Sequence, residues 1–120
     1  MKKFFTGVLI LNLLIEWFAA FALISAGESM FPGGNADAAM WARIYGFAAL
    51  AVGSTVIWAW PNRESLKAVT TVLGIMCAFH ICIFGALLTS ANQQAGTVIH
   101  AVMSVLFIVL YTQRKKWCTE

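Results

Sequence analysis

Four apolar segments, at about residues 4–26, 39–60, 66–89 and 97–112, take up nearly all of this 120-residue chain. A membrane-crossing helix needs roughly 20 mainly apolar residues, and the last segment continues a little at either end. A chain placed in lipid has no water to satisfy its backbone groups, so each segment is expected to be a helix. The strand-like alternation of a barrel is absent. Charged residues make up only 11% of the chain, where a soluble domain carries about a quarter. The fold expected is all-α: an integral membrane four-helix bundle, one domain over residues 1–120.

The net charge of +3 is concentrated at three places. Lys2 and Lys3 precede the first segment, Arg63 and Lys67 flank the second connection, and Arg114, Lys115 and Lys116 follow the last segment. The first connection holds Glu28 and Asp37 without a Lys or Arg, and the third is uncharged. Helices alternate in direction, so all basic ends fall on one side, and the positive-inside rule puts both termini in the cytoplasm. The basic residues then act as topology signals and contacts for anionic headgroups, and nucleic acid is not expected as a partner. Lys2-Lys3 before an apolar run resembles a secretory signal, but the run resumes beyond Glu16 to Ala26, longer than a signal's apolar core. An uncleaved first helix in the cytoplasmic (inner) membrane is therefore expected. Three cysteines, Cys77, Cys82 and Cys118, form neither a disulfide framework nor a CxxC pair.

The connections carry local signals. Residues 27–38 contain Pro32-Gly33-Gly34-Asn35, strong turn chemistry, with Met30 and Phe31 expected at the outer interface and Asp37 in a solvated loop. Residues 61–65 read as a tight turn, with Ser65 or Asn62 capping the third helix. Trp58, Trp60, Tyr111 and Trp117 are expected in an inner aromatic belt, and Trp41 at the outer interface.

Polar residues recur inside the apolar segments: Glu16, Arg43, His80 and His100. An ionisable group in a bilayer costs a few kcal/mol, roughly, and points to a functional site. Asn12 lies one turn before Glu16, while Thr70, Gly74 and Cys77 align with His80, and Ser104 and Tyr111 with His100. Ala42, Gly46, Ala49 and Gly53 form a small-residue ridge, the expected oligomer interface. By helical rise, Arg43 and His100 are expected roughly 5–8 Å below the outer helix ends, and Glu16 and His80 roughly 13–16 Å below. This describes an outward pocket with Glu16 and His80 at its floor and Arg43 and His100 at its mouth. Asn12, Trp17, Tyr45 and Ser104 complete the candidate set.

A buried Glu16 must be neutral or paired, with Arg43 or a histidine as the available partners. Arg43 suits a carboxylate or phosphate, and equally snorkels to the headgroups. Each histidine offers a hydrogen bond, a proton or a metal bond. Zinc requires three or four ligands, more than one histidine per helix and a stray cysteine supply. The difference in expected depth also disfavours opposed axial ligation of a haem. No metal ligand is assigned and no cofactor identified. Nucleotide loops, HExxH and GxSxG are absent.

The second segment reads Arg43-Ile44-Tyr45-Gly46-Phe47-Ala48-Ala49-Leu50-Ala51-Val52-Gly53. This Arg-x-x-Gly-x-x-x-Leu-x-x-Gly pattern, in a compact four-helix chain, resembles the DoxX-like small membrane proteins, with Arg43, Gly46 and Gly53 as the matching positions. That group includes accessory subunits of quinone-linked oxidoreductases and assembly factors. A single acid midway along the first of four helices, Glu16, also resembles the small multidrug resistance transporters, although Ile15-Glu16-Trp17-Phe18 departs from their pattern. The expectation is a binding or accessory protein for a small hydrophobic or amphipathic ligand: a quinone, lipid or organic acid. Proton-coupled transport by an oligomer through Glu16, and a structural or assembly role in a membrane complex, are the alternatives.

Overall fold

Every apolar segment is a helix. In the computed structural model, which describes residues 2–26, 36–90 and 93–119, the helices are α1 (Lys2–Ala26), α2 (Ala36–Ala59), α3 (Leu66–Leu87) and α4 (Gln94–Gln113). Single 3₁₀ turns follow α2 at Trp60–Asn62 and α4 at Arg114–Lys116. All four α-helices are long and apolar enough to cross a membrane. Only 22–33% of each apolar stretch is buried, so most large apolar side chains face outward, as with Phe18 (80% exposed) and Trp58 (79%).

Several expected boundaries move, among them the end of α3, at Leu87 instead of 89. α2 starts at Ala36 instead of 39, which places Asp37 in its first turn, where a carboxylate favours the helix dipole. α4 starts at Gln94 instead of 97, taking the polar Gln94-Ala95-Gly96 into the helix. The expected Pro32–Asn35 turn and the interface positions of Met30 and Phe31 lie outside the described residues, as does Glu28.

The chain divides into two compact units, Met1–Val8 with Ile57–Glu120, and Leu9–Val56. In the second unit, α2 buries Ala39, Ala42, Gly46, Ala49, Gly53 and Val56, a three-four alternation that forms one continuous seam. Small side chains let two backbones approach closely. A Cβ added at Gly46 would lie 2.9 Å from Ile24 Cγ1 and 3.0 Å from the Ala20 carbonyl oxygen; one at Gly53 would lie 3.0 Å from Glu16 Cβ. The ridge expected to join copies therefore packs on α1 of the same chain.

In the first unit, α3 packs along α4 through Leu73, Met76, Met103, Phe107 and Leu110, all buried. The carboxyl-terminal tail returns to the start of α3. Leu66 N–H donates to the Thr119 carbonyl at 2.9 Å, and Thr119 N–H donates to that of Glu64 at 2.8 Å. Ser65 does occupy the N-cap position, but its side chain makes no capping bond, and the Thr119 carbonyl serves the first N–H instead. Trp117, expected in the aromatic belt, is buried (6% exposed) with its ring 5.5 Å from Phe5. At the surface, Lys2 Nζ meets Glu64 Oε2 at 3.0 Å, and this ammonium holds the Glu64 carboxyl below the usual carboxylate range.

Gly46→Ala is expected to destabilise the protein by about 1–3 kcal/mol, because the added methyl meets the Ala20 backbone and cannot push it aside. Gly85→Ala, where an added Cβ meets nothing within 4 Å, should be neutral or gain up to about 1 kcal/mol of helix propensity. Thermal unfolding in mild detergent compares the two, and equal effects would contradict the close approach of α1 and α2.

Candidate functional site

The most polar point of the first unit's interior is a pair of histidines. His80 on α3 is fully buried, and His100 on α4 is 7% exposed. Their Nδ1 atoms lie 2.9 Å apart, a hydrogen-bonding distance. The expected difference in depth between them is corrected by the helix ends. His80 lies seven residues before the end of α3 at Leu87, and His100 six residues after the start of α4 at Gln94. On antiparallel neighbours this corresponds to nearly equal depth, about 10 Å and about 9 Å from those ends.

Aromatic rings enclose the pair. Phe107 stacks on His80 with centroids 5.2 Å apart and planes 14° apart. Phe79 presents edge-on geometry to both rings, at 5.2 Å from His80 and 5.9 Å from His100. Ser104 is buried one turn from His100 and donates its hydroxyl to the His100 carbonyl at 2.7 Å. Sequence reasoning missed Phe79 and Phe107 as parts of this site. The available signal was spacing, since Phe107 is seven residues after His100 on the same face of α4 and Phe79 adjoins His80.

A bond between two Nδ1 atoms restricts the protons. One ring must carry its hydrogen on Nδ1 and the other must present a lone pair there. In the neutral pair, the donor ring is then bare at Nε2 and the acceptor ring is protonated at Nε2. The two imidazoles of a neutral pair therefore hold opposite tautomers.

Of the other residues expected to line this face of α3, Gly74 and Cys77 are half-buried. Thr70 is engaged elsewhere, accepting a bond from Arg114 Nε at 2.8 Å.

The second unit holds the remaining candidates. Asn12 and Glu16 are buried on one face of α1, at 0% and 1% exposure. Gly53 of α2 provides the space for Glu16, whose Cβ and Cγ are the nearest side-chain atoms along with Trp17 Cδ1. Trp17 is half-buried and meets Phe21 edge-on, with centroids 6.4 Å apart. Tyr45 is half-buried and Arg43 is exposed. Within this unit, then, Glu16 and Asn12 form the buried polar face, and Arg43 lies on the outer surface of α2.

The chain matches no protein-family model, and neither a curated protein nor a solved structure is similar to it. Function is accordingly argued from the residues themselves.

Histidine-selective ¹⁵N NMR of the protein in micelles should resolve two tautomers, one ring protonated at Nδ1 and the other at Nε2. His100→Asn should remove this difference. It should also destabilise the protein by about 1–3 kcal/mol, the cost of a buried polar atom left without its partner. Two rings in the same tautomer would contradict the Nδ1–Nδ1 bond.

Proposed function

We propose that this chain is a small multi-pass membrane protein that binds the polar end of a hydrophobic or amphipathic ligand at the His80–His100 pair. The observation that carries this reading is the buried Nδ1 contact of 2.9 Å, lined by aromatic rings, between two helices apolar enough to cross a membrane. A pair used only to hold α3 against α4 needs no ionisable groups, because hydroxyl or amide side chains join helices at lower cost. Imidazoles that can exchange their hydrogen-bond partners suit a polar head such as a quinol, a hydroxy-carbonyl or an undissociated organic acid. The aromatic walls suit a flat or apolar body behind that head.

The membrane reading draws on the inverted distribution of polarity. Asn12, Glu16, His80, His100 and Ser104 are buried, while Leu14, Phe18, Phe47, Val105 and other large apolar residues are exposed. The clustering of basic residues near the two termini and the second connection supports a topology with both termini in the cytoplasm and the chain in the inner membrane. On this reading the chain is a binding or accessory subunit.

Native mass spectrometry of the protein released from mild detergent tests this directly. A discrete small-molecule adduct is expected, lost in His80→Gln and in His100→Asn while both variants remain folded by circular dichroism. Protein that flies bare under gentle activation, with the wild-type pair intact, would count against a resident ligand.

Glu16 favours a second reading, proton-coupled transport, because a carboxyl only 1% exposed lies midway along an apolar helix. Proteoliposomes should then show a proton flux on addition of a lipophilic substrate, abolished by Glu16→Gln. A flux that survives this substitution removes Glu16 from any such role.

A further inference from the structure

The basic end of the first unit holds a feature that the histidine pair does not use. An open groove of about 460 Å³ borders the start of α3, lined by Ser65, Leu66, Lys67, Thr70 and Thr71. A second cation is fixed at its edge. Arg114 Nε donates to Thr70 Oγ1 at 2.8 Å, and its guanidinium lies 4.0 Å over the Tyr111 ring. Lys67 is exposed, as are Lys115 and Lys116. The neighbouring acid, Glu64, is bonded to Lys2, so its charge is largely offset.

Beyond this polar head, the same side of α3 is smooth. Gly74, Ala78 and Cys82 follow at four-residue intervals. Ala78 and Cys82 are exposed, and a Cβ added at Gly74 would meet nothing within 4 Å. The groove, cationic and hydroxyl-bearing, thus lies at the head of a strip of small side chains on the same side of α3. A soluble anion matches only the head. A second copy in the same membrane orientation would bring its own Lys67 and Arg114 against these, setting like charges together. An amphiphile with an anionic head matches both parts.

We propose that this groove binds an anionic phospholipid, with its phosphate between Lys67 and Arg114 and one acyl chain along Gly74, Ala78 and Cys82. The proposal rests on the membrane reading above but not on the histidine pair. Each basic side chain near the surface of an anionic membrane contributes an attraction equivalent to about fivefold in affinity, and two beside one groove select for negative headgroups.

The test offers detergent-purified protein equal amounts of dioleoyl phosphatidylglycerol and dioleoyl phosphatidylcholine and counts the retained lipids by native mass spectrometry. Phosphatidylglycerol should be preferred, Lys67→Gln should cut the preference about fivefold, and Lys67→Arg should restore it. Ala78→Leu, which interrupts the strip, should reduce retention of the whole lipid. Equal retention of the two lipids, or a preference indifferent to Lys67→Gln, overturns the site. A dimer that added lipid does not displace also overturns it, assigning the face to a second copy. Extraction with alkaline carbonate separates the two levels of the argument: a chain that washes off membranes sinks the membrane reading together with the lipid site. A chain that stays without lipid preference sinks the lipid site alone.

Discussion

A helix whose outward surface is apolar has to place its polar side chains against a neighbouring helix, and this constraint shapes every contact described above. The backbone bonds of each helix are closed within the helix, so they leave the side chains to set which faces meet. Asn12 and Glu16 mark the inner face of α1, His80 that of α3, and His100 and Ser104 that of α4. Large apolar residues cover the opposite faces, the reverse of the arrangement in a soluble domain.

Two kinds of helix contact result. In the unit formed by residues 9–56, glycine and alanine on α2 let its backbone lie close to α1. In the other unit, α3 and α4 meet through bulky side chains, and a polar bond between their interior side chains joins His80 to His100. The first kind leaves no room for a ligand at Gly46 or Gly53. The second surrounds a hydrogen-bonded pair with aromatic rings, which is why the candidate site falls there.

The tail contributes in a different way. Its pairing of Thr119 with Glu64 and Leu66, the burial of Trp117 against Phe5 and the reach of Arg114 to Thr70 hold the basic end together. Ser65 makes no side-chain cap, and a backbone carbonyl from 53 residues later accepts from Leu66 N–H at the first position of α3. That leaves the Ser65 hydroxyl at the mouth of the α3 groove.

Much of this was legible in the residue order. Segment length and the shortage of charge determined four helices, because apolar runs of that length have few alternatives, and three-four spacing determined that Asn12 and Glu16 share a face. The polar candidates were visible as exceptions within apolar runs. Other features depended on packing. Where α3 ends and α4 begins decided that His80 and His100 meet at one depth, and an error of two or three residues at those ends had set them several ångströms apart. A small-residue ridge has the same sequence whether it faces its own chain or another copy; only the fold put α1 on it. Helical periodicity is a local property read along one chain, whereas helix ends and partner faces are settled by contacts between distant segments, and those belong to the tertiary structure alone.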